Sequence, residues 1–83
     1  LYENYPNPFN PATTIKFDLP VQSITKLSVY DVTGRTVALL VNGPMSAGSH
    51  IISFNGAGIS SGVYFFKLEA GNFTDIRKMV LVK

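Results

Sequence analysis

The 83-residue sequence contains no cysteine, no tryptophan and one histidine. Without cysteine, no disulfide can brace the chain, and His50 alone supplies too few soft ligands for a zinc site. Charge is also scarce: 14% of the residues are charged, the net charge is +2, and the basic residues are scattered. That scatter disfavours a nucleic-acid-binding sandwich. The sequence contains no run of about 18 apolar residues, so no membrane span is predicted.

The residues that catalysis usually needs are also missing or isolated. His50 has no serine, cysteine or second histidine in a plausible constellation. Gly56 and Gly58 lack the following helix and lysine that a phosphate-binding loop requires. The acidic residues lie on different segments without paired spacing: Glu3, Asp18, Asp31, Glu69 and Asp75. We therefore expect no enzyme, no cofactor and no metal site.

The sequence is instead rich in apolar residues, at 46%, and in aromatic residues, at 12%. Its clearest feature is a β-hairpin at the C-terminal end, in which residues 63–68 and 73–82 flank Ala70-Gly71-Asn72. The large apolar side chains of the first arm alternate with smaller or charged ones, so we expect Tyr64, Phe66 and Leu68 to face the core.

Four further strands are predicted upstream, at residues 13–19, 24–31, 36–41 and 49–55. Asn42-Gly43-Pro44 is expected to break the third, whose register the pattern leaves open, and 45–48 is expected to be a loop. Lys26 and Ser28 are predicted to face outward. The residues predicted to be buried between two sheets are Ile15, Phe17, Leu27, Val29, Ile52, Phe54, Tyr64 and Phe66. Six strands, or seven with part of the N-terminal segment, predict an all-β antiparallel sandwich.

Residues 1–12, here called the lead-in, contain three of the five prolines. Proline removes backbone donors and favours extended conformations, so the lead-in is predicted to be rigid rather than a central strand. We expect Phe9 to pack against the sandwich. The chain is thus interpreted as one domain, 1–83, made of the lead-in and a β-sandwich at 13–83.

The terminal strand is apolar on both faces, since Met79 and Leu81 alternate with Val80 and Val82 before Lys83 ends the chain. Such a strand needs cover, which either the domain itself or a partner supplies. Because no later element can cover it, we expect an edge open to β-augmentation, in which a partner adds a strand through backbone hydrogen bonds. In isolation the same edge would favour a dimer or a domain swap.

Four motifs occur in order along the chain: Tyr5-Pro6-Asn7-Pro8-Phe9-Asn10-Pro11, Tyr30-Asp31-Val32-Thr33-Gly34-Arg35, Ser61-Gly62-Val63-Tyr64 and Arg77-Lys78-Met79-Val80-Leu81-Val82-Lys83. Together they resemble the C-terminal sorting domain, type A, of type IX secretion substrates. The resemblance implies an immunoglobulin-like sandwich, which is also similar to the immunoglobulin-like domain of the flagellar hook cap protein.

The resemblance further implies a cargo domain N-terminal to this one, transit through the periplasm, and delivery to the cell surface or the medium. The implied partners are an outer-membrane translocon and a sortase-like cysteine peptidase. Recognition by that machinery is expected at Gly62, Tyr64, Lys78, Met79, Val80, Leu81, Val82 and Lys83. The residues expected to act as structural motifs are Tyr5, Pro6, Asn7, Pro8, Phe9, Asp31, Gly34 and Arg35.

Simpler interpretations stay open for these residues. Asp31 would cap its own turn and pair with Arg35 at the surface. Tyr64 would anchor the core with its hydroxyl at the rim. The basic residues near the C-terminus would guard an edge against aggregation. The alternative function is a passive or carbohydrate-binding immunoglobulin-like module of an extracellular enzyme.

Overall fold

The computed structural model describes all 83 residues and contains six strands and no helix. The strands are β1 (Ala12–Leu19), β2 (Ser23–Tyr30), β3 (Thr36–Met45), β4 (Gly48–Asn55), β5 (Gly62–Ala70) and β6 (Phe73–Leu81). β1 pairs with β4, and the other four form a second sheet in the order β3-β2-β5-β6. Every pairing between these strands is antiparallel. The predicted sandwich and the terminal hairpin are confirmed.

The core lies between the two sheets and consists of thirteen buried apolar residues. Alternation places them on the inner faces, as the clean buried and exposed pattern of β1 shows. Seven of the eight predicted core residues are buried. Ile52 is only half-buried and packs against the core from its margin. Its strand β4 pairs only with β1, whereas the lead-in flanks the other side of β1, so fewer neighbours cover Ile52 than the alternation alone suggests.

The predicted end of the third strand is wrong. β3 continues through Asn42, Gly43 and Pro44 to Met45, which leaves a two-residue connection to β4. Proline is tolerated there because β3 is an edge strand, where a missing backbone donor costs no ladder hydrogen bond. The pairing of β3 with β2 also shifts register twice, after Leu27 and after Val29. These irregularities explain why no simple alternation was visible in β3.

The lead-in packs along the side of the sandwich and bridges its two sheets. Tyr5 exchanges backbone hydrogen bonds of 3.0 and 2.9 Å with Thr14 of β1. Phe9 then donates to the carbonyl of Val80 at 2.9 Å and accepts from the N–H of Val82 at 3.0 Å. The predicted contact of Phe9 with the sandwich is confirmed. The domain itself covers the terminal strand from Val80 onward, because the lead-in occupies its outer edge there, so the expectation of an open edge is wrong for these residues.

Candidate functional site

The predicted recognition residues meet at one end of the sandwich, where β5 begins and β6 ends. We call this end the C-terminal pole. The register sets Gly62 opposite Leu81, Val63 opposite Val80, and Tyr64 opposite Met79. Two motifs that lie about fifteen residues apart in the sequence are therefore direct neighbours across one strand pair.

Tyr64 connects the core to the glycine-rich segment 56–62 that leads into β5. Its side chain is 6% exposed, and its hydroxyl donates a hydrogen bond of 2.6 Å to the carbonyl of Ser60. In a buried tyrosine of this kind the ring packs in the core and the hydroxyl forms a hydrogen bond, so both ends of the side chain are held in place. The expected anchoring role of Tyr64 is thus supported, and segment 56–62 is fixed against the pole.

Asp31 braces the turn between β2 and β3. Its carboxylate accepts hydrogen bonds from the N–H and Oγ1 of Thr33, at 2.9 and 2.6 Å, and from the N–H and Nε of Arg35, at 3.1 and 3.2 Å. Gly34 takes the left-handed conformation that the turn needs, with φ of 86°. The Arg35 side chain is 79% exposed, so its pairing with Asp31 is a surface contact.

A cleft of about 430 Å³ separates this turn from segment 56–62. Asp31 and Arg35 line one wall, and Ile59, Gly62 and Tyr64 line the other. The cleft thus joins two of the four motifs in one open surface. No local sequence pattern predicts that these two motifs are neighbours, because their proximity depends on the pairing of β2 with β5.

The end of β6 divides into buried and exposed residues. Met79 and Leu81 are 0% and 1% exposed, so both belong to the core. Lys78 is exposed, and Val82 is half-exposed. Lys83 folds back onto segment 56–62, where its N–H donates to Ser61 Oγ at 3.0 Å and its Nζ donates to the carbonyl of Ala57 at 2.8 Å. The chain end is therefore held at the pole.

The lead-in motif completes the pole from the side. The Asn7 amide oxygen accepts from the N–H of Val80 at 3.0 Å, and Phe9, 2% exposed, packs edge-on against Phe54 with ring centroids 6.0 Å apart. A Cβ on Gly56 would lie 3.0 Å from Leu81 and 3.3 Å from Phe9, so any other residue there would require these side chains to shift by a few tenths of an ångström. The other motif residues, Tyr5, Pro6 and Pro8, are exposed.

Asn4 is a structural residue that the sequence reasoning missed. It is 2% exposed, and its amide nitrogen donates to Thr13 Oγ1 and to the carbonyl of Pro6, both at 3.1 Å. Thr13 Oγ1 in turn donates to the same carbonyl at 2.8 Å. An asparagine beside prolines is typical of a surface turn. No local signal therefore distinguishes it from its exposed neighbours.

No three histidine, cysteine or acidic side chains come together to hold a metal. His50 Nε2 lies 2.8 Å from the carbonyl of Ser46, and its ring stacks on Phe17 at 5.3 Å, which fits a structural role. No helix is long and apolar enough to cross a bilayer.

The Asp31 turn predicts a pH-dependent stability. The pKa of Asp31 is lowered, most strongly by the hydrogen bond from the Thr33 hydroxyl. The backbone N–H groups of Arg35 and Thr33 and the charge of Arg35 lower it further. A carboxyl whose pKa is lower in the folded state stabilises the fold above its unfolded pKa and loses that effect as the pH falls through the folded value. We expect the melting temperature to decrease as the pH is lowered below about 4, and to decrease less steeply in the Asp31→Asn variant than in the parent. Thermal melts across this range test it; parallel curves for both proteins would contradict it.

Comparison with known proteins gives one match. Residues 3–83 match the family model described as "Secretion system C-terminal sorting domain". Neither the curated proteins nor the solved structures contain a significant match. The matched range includes the pole, the lead-in from Glu3 onward and both sheets.

Proposed function

Because the chain belongs to the secretion system C-terminal sorting domain family, whose members are non-catalytic sorting signals for type IX secretion, we propose that the export machinery binds its C-terminal pole. Such a domain follows a cargo in the polypeptide and directs it to the cell surface or the medium. The finer proposal is that the cargo passes through the periplasm, that an outer-membrane translocon binds the pole, and that a sortase-like peptidase acts afterwards.

The observation that carries this proposal is the convergence of the four motifs. The Asp31 turn and the Gly62 to Tyr64 segment share a cleft, and the end of β6 pairs with the same part of β5. Tight local bracing and a single core favour a rigid surface, which lowers the entropy cost of being recognised. We propose that residues 1–83 form one domain that acts as a folded signal.

The recognition residues have separate roles in this proposal. Gly62 and Tyr64 shape the cleft, while Met79 and Leu81 hold the terminal strand to the core. The exposed groups available to a partner are Lys78, Val82 and Lys83. Val80 offers its outer edge to β-augmentation only if the lead-in leaves, because Asn7 and Phe9 occupy that edge.

The test is export of a reporter fused to the N-terminal side of the domain in a type IX-competent host. We expect the fusion to reach the cell surface or medium and the reporter without the domain to stay inside the cell. Removing Val82 and Lys83 should reduce export several-fold, because the truncation deletes two exposed side chains and no core residue. It also removes the hydrogen bonds of Val82 to Phe9 and of Lys83 to Ser61 and Ala57. Truncation from Met79 would be uninformative, since it also removes buried side chains.

Lys16→Ser, on the outer face of β1, is the matched control and should be exported like the parent. Cooperative thermal unfolding would show that every variant is folded, and the truncation should melt at a lower temperature because it loses the hydrogen bonds at the chain end. If export of the reporter does not depend on the domain at all, the sorting role is wrong and an accessory module is favoured. If the truncated variant is exported as efficiently as the parent and the Lys16→Ser control, the chain end is not part of the signal.

A further inference from the structure

The outer faces of the two sheets differ in character. On the two-stranded sheet the outward positions are polar or charged except for Ile51, which is 67% exposed, and the small Ala12 at the start of β1. The outward positions of the four-stranded sheet carry seven large apolar residues, one or two on every strand: Ile24, Tyr30, Leu39, Val63, Phe65, Ile76 and Val80. We call this second surface the β3-to-β6 face.

Four of these apolar residues lie next to one another across the sheet, in two pairs. The register places Tyr30 beside Phe65 and Val63 beside Val80, while Leu39 and Ile76 are 50% and 55% exposed on the flanking strands. Contiguous apolar surface of this kind marks interaction sites more often than single exposed residues do. The fold itself does not need it, because the core is complete on the other side of the same sheet.

The β3-to-β6 face also carries the whole net charge of the domain. Its outward charged residues are Lys26, Lys67, Lys78 and Glu69. The remaining four basic residues are balanced by the remaining four acidic ones, so the net charge of +2 belongs to this face. Lys67 lies 3.7 Å from Glu69, which leaves Lys26 and Lys78 as its unpaired charges.

A buried polar group lies in the middle of the face. Ser28 is 0% exposed, lies between Leu39 and Lys67 in the register, and its hydroxyl has no hydrogen-bond partner. An unpaired buried hydroxyl is unfavourable and is uncommon in folded proteins. Lys67 is a long side chain beside it that is 32% exposed, so its movement would open the hydroxyl to an incoming polar group.

We propose that the β3-to-β6 face docks on a protein surface that combines apolar residues with acidic ones, within the export machinery. This inference rests on the proposed sorting function and adds a second surface, which meets the cleft at Val63. Charge complementarity excludes a second copy of the chain, because face-to-face packing would oppose like charges. Three lysines fall short of the four to eight typical of segments that bind anionic lipid.

The size of the face fits a transient complex. Four strands about 4.8 Å apart and about 25 Å long give a footprint of roughly 500 Å². Two such surfaces would bury about 1,000 Å², which is the low end of protein interfaces and is typical of weak encounters. A sorting signal must be released after it is read, and a small interface with steering charges permits fast exchange.

The experiment compares two matched double variants of the reporter fusion. Lys26→Glu with Leu39→Ser alters the β3-to-β6 face, and Lys16→Glu with Ile51→Ser makes the same changes on the outer face of the other sheet. All four positions are exposed, so both variants should fold, which thermal melts verify. Binding of each domain to the detergent-solubilised outer-membrane translocon is measured at low and high salt, alongside export.

We expect the first variant to bind about tenfold or more weakly, with a smaller salt dependence, and to be exported less, while the second matches the parent. Equal binding and export of both variants would overturn the inference and leave the sorting function intact. A parent fusion that is not exported would overturn both. If the first variant lost only its binding to vesicles of phosphatidylcholine and phosphatidylserine, the face would bind a lipid surface. If it lost only its self-association in sedimentation, the face would bind a second copy of the chain. Either result would refute a partner within the export machinery.

Discussion

Phe17→Ala is expected to lower the free energy of unfolding by about 3 to 5 kcal/mol. Phe17 is fully buried at the middle of β1, where its ring lies against His50 and its strand packs over the four-stranded sheet. Removing the ring leaves a cavity that rigid strands on both sides cannot fill. A domain of this size has a total stability of about 5 to 10 kcal/mol, so the variant would lie near the limit of folding.

Chemical denaturation followed by circular dichroism measures this loss. The control is Ile51→Ala on the neighbouring strand, which is 67% exposed and should change the free energy of unfolding by about 0.5 kcal/mol or less. If Phe17→Ala and Ile51→Ala were equally mild, Phe17 would not be a core residue. That result would contradict the arrangement of the two sheets described above.

The strands were predictable because a strand with one buried face has a local signature. In β1 the apolar residues Ile15, Phe17 and Leu19 recur at every second position, and all three are buried. β3 lacked this signature for two physical reasons. It is an edge strand that tolerates Pro44, and its bulges interrupt the period of two.

The remaining wrong predictions concern how far neighbouring residues cover a side chain, rather than where the strands lie. Ile52 has the spacing of a core residue, but its exposure depends on how far the opposite sheet extends over β4. Ser28 has the spacing of an outward residue, yet Leu39 and Lys67 lie on either side of it and it is fully buried. Alternation decides which face a side chain occupies, and the adjacent strands decide how much of it remains exposed.

The candidate site was predictable residue by residue but not as a surface. The motifs and their resemblance to sorting domains single out Asp31, Gly62 and Tyr64 without placing them together. Their shared cleft arises because Tyr30 pairs with Phe65, which brings the end of β2 to the start of β5. Such pairing joins segments far apart in sequence, so no window along the chain contains it.

The lead-in gave the largest difference between expectation and structure. Its prolines indicated a rigid extended segment, and the structure adds that this segment pairs with β1 and then with the end of β6. An exposed apolar edge at the end of β6 would be an aggregation hazard, and the lead-in removes it by occupying the backbone groups of Val80 and Val82. Phe9 is the side chain that fixes the lead-in there.

Phe9→Ala is accordingly expected to lower the free energy of unfolding by about 3 kcal/mol or more and to loosen the lead-in from β6. Phe9 is 2% exposed and contacts Phe54, and its backbone closes the edge at Val80. Once that edge opens, two copies would pair through it, so we expect association that increases with protein concentration. Melting curves and sedimentation over a range of concentrations measure the two effects.

Tyr5→Ala is the matched control, because Tyr5 belongs to the same segment and is 80% exposed. Its hydrogen bonds to Thr14 through the backbone remain in the variant, so its stability and its monomeric state should match the parent. If Phe9→Ala were as stable as Tyr5→Ala, the lead-in would be an appendage to the sandwich. If Phe9→Ala were destabilised yet monomeric at every concentration, the lead-in would serve the core alone, and protection of the β6 edge would not be its role.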